Sequence, residues 1–152
     1  MSKVSSQTKI PSVKLSRRPA QLIVLGMHRS GTSALTGAIH AMGAFAGDEE
    51  SMTGTNWENP LGFFERKDTR AICDKILHEN NADWWKVANF DPDRVPHAAI
   101  RSRLAEFNAV VSKLDEGAGK DGAWVLKEPR FCVLYPILQR ALLNPHVVII
   151  VR

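Results

Sequence analysis

Cysteine is nearly missing from this sequence, which has two in 152 residues, Cys73 and Cys132. They lie far apart, without C-x-x-C spacing and without histidines arranged around them, which argues against a zinc site. Each falls in or at the edge of an expected helix, so they read as reduced, buried thiols of a cytoplasmic protein, with a structural disulfide as the alternative. Long apolar runs are missing too. No stretch approaches the roughly 18 residues of a membrane span, and the first 20 residues lack the apolar centre of a secretory signal. The same 20 residues contain no acid and no aromatic ring, but they hold Lys3, Lys9, Lys14, Arg17 and Arg18. The formal net charge of +4 therefore resides in this segment, and the rest of the chain is close to neutral. A short Ser/Lys/Pro tail of this kind reads as a solvated, disordered lead-in and not as a nucleic-acid arm.

The remainder, in a chain 44% hydrophobic and 24% charged, has the composition of one soluble domain. No internal repeat is visible. Residues 21–26 are apolar without alternation, as in a strand buried on both faces of a parallel sheet. A helix is expected over 30–42, followed by an irregular stretch, 43–62, with turn formers at Gly47-Asp48, Thr53-Gly54 and Asn59-Pro60. A second helix, 67–79, has Ile72, Ile76 and Leu77 on one face, and an aromatic-rich loop, 80–96, contains the adjacent pair Trp84-Trp85. At least one of these rings should face a cleft or the core. Pro96 and Gly117 bracket a helix over 97–116, in which Ile100, Leu104, Phe107, Val111 and Leu114 recur by four and three and form a core-facing stripe. A short strand at 124–127, a helix at 131–143 and a β-branched strand at 147–151 complete the order. Strands separated by helices predict an α/β fold with a parallel sheet and right-handed crossovers. The chain thus divides into a basic tail, 1–20, and one domain, 21–152.

The most specific segment is LIVLGMHRSGTSAL at 22–35, an apolar strand that runs into a glycine-flanked loop and opens directly into a helix. Gly26 and Gly31 are spaced as in the G-x-x-x-x-G of a nucleotide P-loop, whose backbone amides and helix N-terminus attract an oxyanion. A nucleoside-triphosphatase loop would continue with lysine. Here Thr32-Ser33 follows, and the cation lies inside the loop at Arg29, so the ATPase signal fails. In open α/β sheets, ligands bind at the carboxyl ends of the strands. The loop follows the first strand, Lys127-Glu128-Pro129-Arg130 follows the second, and Arg152 follows the third, so each strand delivers a cation to one rim suited to a polyanion.

GMHRSGTSAL, WVLKEPR and VVIIVR together resemble the sulfotransferases that use 3′-phosphoadenosine-5′-phosphosulfate (PAPS), in particular their bacterial, carbohydrate-modifying branch. The likeness extends over most of 21–152. It implies a P-loop-like, three-layer fold with a mainly parallel sheet, and PAPS as co-substrate with 3′-phosphoadenosine-5′-phosphate as product and no metal. It assigns the donor to His28, Arg29, Ser30, Gly31, Thr32, Ser33 and Arg152, the last holding the 3′-phosphate. Lys127 would lie near the transferring group, and Arg29 would take the place of the missing loop lysine. Family members of this branch often carry a catalytic glutamate after the long loop, which in the segment NPLGFFER is Glu65. The acceptor would be a hydroxyl or amine on a carbohydrate or small metabolite.

Several readings stay open at this level. The base is Glu65 or Glu128, with Glu58 and His28 behind them, and His28 is as well suited to shaping the loop as to catalysis. Glu65 near a helix start also favours the helix dipole, Glu128 pairing with Arg130 would serve as surface support, and the tryptophans serve acceptor binding or plain packing. The family's downstream serine and adenine-covering segment are absent, so the sheet is expected to be truncated after a third strand that should be central. The chain would then need a carboxy-terminal segment or a second copy, and would bind donor poorly and turn over nothing alone. The alternative function is a catalytically inactive, degenerate P-loop module used for binding or assembly.

Overall fold

A computed structural model describes residues 18–57, 59–143 and 145–151. The bulk of the basic tail, Glu58 and Arg152 lie outside the described residues. The elements run β1 (Ala20–Leu25), α1 (Thr32–Ala41), α2 (Lys67–Glu79), α3 (His97–Ala118), β2 (Ala123–Lys127), α4 (Phe131–Leu138) and β3 (His146–Ile149). The sheet has three strands in the order β2-β1-β3, all parallel, with Val24 opposite Lys127 on one side and Val148 on the other. The protein is therefore α/β, with β1 at the centre of a small parallel sheet.

The unbroken apolar run of β1 is explained by a core on each face of the sheet. Ile23, with Trp124 and Leu126 of β2, packs into the larger core with the apolar faces of α2, α3 and α4. Val24 and Val125 turn the other way, onto Ala44 and Ala46, with Leu35 and Ile39 of α1 against them. Alternate residues thus enter different cores, and none needs to be polar. Helix α2 has the expected bounds, with Ile72, Ile76 and Leu77 buried. In α3 the stripe is buried at Ile100, Phe107, Val111 and Leu114, and Leu104 packs against the same core.

Other expectations are corrected. Helix α3 continues past 116 to Ala118, because Gly117 lies inside the last turn, where the Phe45 ring occupies the place of a Cβ. The stop is Gly119, at φ 70. Helix α4 ends at Leu138 and not at 143: Pro136 in its interior has no N–H to give, and the chain tightens into a 3₁₀ turn over Gln139–Ala141. The third strand, whose β-branched run is of the central, buried type and after which the sheet is expected to be cut short, is an edge strand exposed along its whole length, with Ile149 at 65%. Both β2 and β3 pair with β1, which leaves β3 outermost among the described strands. Cys73 is buried as expected, but Cys132, at the second position of α4, is exposed, and both thiols are free.

Candidate active site

The turn that follows β1 is built around residues without room for alternatives. A Cβ on Gly26 would stand 2.6 Å from Thr32 Cγ2, 2.8 Å from Ser30 Oγ and 3.2 Å from the Ile150 carbonyl. Ser30 closes the loop, giving its N–H at 3.3 Å and its hydroxyl at 2.7 Å to the Met27 carbonyl. Two left-handed residues, Arg29 at φ 66 and Gly31 at φ 98, turn the chain into α1. A non-glycine residue in that region is strained by its Cβ, and such strain gathers at binding sites. Helix α1 starts two residues later than the sequence suggests, because Gly31 is its N-cap. No side chain caps it and no acid stands in its first turn. Its leading amides and positive dipole end are thereby open to an anion.

The end of β2 supplies the opposite wall. The Lys127 side chain is 3% exposed, and its ammonium donates to Glu65 Oε1 at 2.5 Å, the Phe63 carbonyl at 3.0 Å and Ser33 Oγ at 3.2 Å. These use all three of its protons. Glu65 lies 62 positions away in sequence and is brought there by its own segment. Thr53 gives both its N–H and its hydroxyl to the Glu65 carbonyl at 2.8 Å, and Phe64 turns the chain at φ 54. The second Glu65 oxygen accepts from Arg70 of α2.

A cavity of about 420 Å³ lies between these walls, lined by His28, Arg29, Thr32, Ser33, Glu65 and Lys127 among others, with Gly31 at its edge. Ser30 lines an adjoining cavity of about 570 Å³ that follows β1 and β3, shared with His28 and Arg29. The structure thus brings His28, Arg29, Ser30, Gly31, Thr32, Ser33, Glu65 and Lys127 around these two cavities, while Arg152 lies outside the described residues. Partial burial lowers the His28 imidazole below its ordinary value; Glu65 opposes this, and Arg130, Lys127 and Arg70 add to it. Its ring meets Trp84 edge-on, with centroids 5.2 Å apart. Trp84 does face a cavity, but one of about 30 Å³, room for a single water.

Glu128 does pair with Arg130, at 2.7 Å, but as a fully buried group and not as surface support. Burial raises its carboxyl above the usual range, Arg130 opposing and Glu65 adding. It does not line the 420 Å³ cavity, which favours Glu65 over Glu128 as the group that meets a ligand. Arg130 reaches on to Asp74 at 2.6 Å. Arg70 Nε and Glu128 Oε2 stand 4.0 Å apart, both buried and each without a hydrogen-bond partner among the described residues. A chain of alternating charges, Lys127, Glu65, Arg70, Glu128, Arg130 and Asp74, therefore backs the cavity.

Sequence reasoning missed Arg70 and Asp74. The available signal was their spacing from Arg66 by fours, which sets three charges on one face of α2. Among the described residues no group of three His, Cys, Asp or Glu is arranged to hold a metal, and no described helix is long and apolar enough to cross a membrane. Compared with known proteins, the chain matches no protein-family model, no curated protein and no solved structure.

Proposed function

We propose that this chain carries the donor-binding and catalytic part of a PAPS-dependent sulfotransferase with a P-loop-like fold, acting on a hydroxyl or amine of a carbohydrate or small metabolite. The observation that carries this reading is the shared cavity: an uncapped helix N-terminus behind a glycine-shaped loop faces a buried Lys127–Glu65 pair. The site is fitted to an oxyanion on one side and to proton removal on the other. PAPS would supply the sulfuryl group, and the adjoining 570 Å³ cavity suits the rest of the donor.

Glu65 is the base in this reading. As the acceptor oxygen bonds to sulfur, the bond from sulfur to the 5′-phosphate oxygen breaks and its electron pair leaves with the phosphate. The acceptor proton passes to Glu65. Arg29, the amides that open α1 and Lys127 stabilise the charge that grows on the departing phosphate. Lys127 must exchange its bond to Glu65 for that phosphate, which frees one Glu65 oxygen for the acceptor while Arg70 keeps the other in place. A kinase reading is disfavoured by Thr32 standing where a phosphate-reaching lysine would be.

The same ion pair favours a second reading, a binding module without turnover, in which Glu65 remains locked between Arg70 and Lys127. Transfer of labelled sulfur from PAPS to a panel of hydroxyl and amine acceptors separates the two. In whatever full-length protein carries this segment, the enzyme reading expects transfer that Glu65→Gln abolishes while affinity for 3′-phosphoadenosine-5′-phosphate is kept. Donor binding with no transfer to any acceptor favours the module, and absence of donor binding defeats both.

A further inference from the structure

We infer that Glu128 is a positioning residue for the reaction: it acts on Glu65 through Arg70, which shifts its hold from Glu65 to Glu128 as Glu65 takes the acceptor proton. This rests on the transferase reading above, and it gives a role to a buried carboxylate that the reaction otherwise leaves unused.

Glu128 is fully buried and does not line the polar cavity, so it can act on the chemistry only through a neighbour. Its Oε1 accepts from the Arg130 N–H at 3.2 Å and from Arg130 Nη1 at 2.7 Å. Its Oε2 is unbonded among the described residues, and so is Arg70 Nε, 4.0 Å away. On its other side the Arg70 guanidinium donates through Nη2 to Glu65 Oε2. One cation therefore stands between two carboxylates, bonded to one and about 1 Å short of the other. A buried donor and a buried acceptor left unpaired each cost free energy. A network built for stability alone would close that gap, so the open pair marks a second arrangement within reach.

The charges show what the second arrangement serves. Lys127, Arg70 and Arg130 balance Glu65, Glu128 and Asp74. When Lys127 moves to the departing phosphate, the groups left behind carry a surplus negative charge, which draws the acceptor proton onto the Glu65 oxygen that Lys127 has freed. The acceptor O–H or N–H bond breaks with its electron pair kept on the acceptor atom, and Glu65 becomes neutral. Arg70, Glu128, Arg130 and Asp74 then balance among themselves, with Arg70 turned to Glu128. Without the Glu128 charge, Arg70 would stay tied to Glu65 and hold it as an anion, which makes a weaker base.

The test uses the full-length protein that carries this segment. Glu65→Gln copies the neutral base, since its single oxygen accepts from Lys127 and its amide N–H groups face Arg70. A crystal structure of this variant should place Arg70 Nε about 3 Å from Glu128 Oε2, and an unmoved Arg70 overturns the inference. The second readout is the pH profile of sulfate transfer from PAPS. Around the two carboxylates stand Lys127 from β2, His28 from the loop after β1, Arg70, Cys73 and Asp74 from α2, and Arg130 before α4. Burial keeps the Cys73 thiol protonated, and profiles repeated in His28→Gln remove the imidazole. Arg70→Met should move the acid limb of turnover to higher pH by about one unit or more, and Arg70→Lys should bring it back. Glu128→Gln should move the limb the other way by a smaller step and lower turnover, and should lower it less when Arg70→Met is already present. A purely structural role would reduce the folded yield and leave the limb in place. Limbs that stay put or move together overturn the inference and leave the transferase reading standing. So does a loss of transfer in Glu128→Gln as deep as in Glu65→Gln, because Glu128 would then be the base. If the unaltered protein neither binds 3′-phosphoadenosine-5′-phosphate nor transfers sulfate, the transferase reading is overturned instead, and Glu128 has no base to position.

Discussion

Replacing Glu65 with glutamine tests the buried ion pair and the proposed base at once. The side chains of Glu65 and Lys127 are 4% and 3% exposed, so the substitution leaves the Lys127 ammonium in a dry site with its nearest countercharge removed. Breaking one side of a buried pair costs about 3–5 kcal/mol. The low end applies here, because a glutamine oxygen still accepts from Nζ and the Phe63 carbonyl and Ser33 hydroxyl remain. A loss of about 3 kcal/mol lowers the melting temperature of a chain of this length by about 6–12 °C. Adding Lys127→Met removes the orphaned charge, and the double variant should be more stable than the sum of the single ones by about 1–3 kcal/mol. Thermal and urea denaturation of the four proteins of this cycle measure that coupling. In the same preparations, Glu65→Gln should reduce transfer by about 10²- to 10⁴-fold, the worth of a positioned base. Donor affinity should hold or rise, since Lys127 no longer has to leave a carboxylate to meet the donor. A coupling near zero would refute the pairing. Unchanged turnover in a folded Glu65→Gln protein would refute the base.

Further outcomes follow from the loop and from the titrating groups. Arg29→Ala should weaken 3′-phosphoadenosine-5′-phosphate binding by about 1.5–3 kcal/mol, the range for hydrogen bonds to charged groups, and equal affinities by calorimetry would remove Arg29 from the site. Gly26→Ala sets a methyl 2.6 Å from Thr32 Cγ2, so it should cost about 1–3 kcal/mol of stability and abolish donor binding; a folded variant with normal affinity would count against the loop. His28 holds its proton less tightly when folded than its ordinary value of 6.5 implies, so the unfolded chain binds more protons in that window and stability should fall as pH drops through about 6.5. Glu128 is shifted up from an ordinary 4.5, so the folded state binds more protons there and stability should also fall as pH rises from about 4.5 through the raised value. Melting curves of His28→Gln and Glu128→Gln across pH 4–8 should each lose one of these two slopes.

The parts of the structure legible in the sequence are those set by local spacing. Helix α2 was readable to its ends because its apolar period, its polar start and the following Asn80-Asn81 agree. The loop after β1 was readable because glycine spacing reports backbone geometry directly. What was not legible depends on neighbours distant in sequence. Gly117 looks like a helix stop until Phe45 is known to lie against it, and the apolar run at 147–151 reads as buried until the sheet order leaves β3 at the edge. Glu128 read as a candidate base on the rim or as surface support for Arg130, and nothing local announces that it is buried with α2 bringing Arg70 and Asp74 to the same charged chain. Glu65 was singled out through family resemblance, yet its partner Lys127 was not foreseen as such, since their contact is made by the folding of a long irregular segment back onto the end of β2.

In the proposed reading the loop at 26–31 with Arg29 is a site for a phosphosulfate donor and not for a nucleoside triphosphate. Calorimetric titration with 3′-phosphoadenosine-5′-phosphate and with ATP, each with and without magnesium, tests it most directly. Binding of 3′-phosphoadenosine-5′-phosphate should be tighter than that of ATP and indifferent to magnesium. Tighter, magnesium-dependent binding of ATP would contradict it.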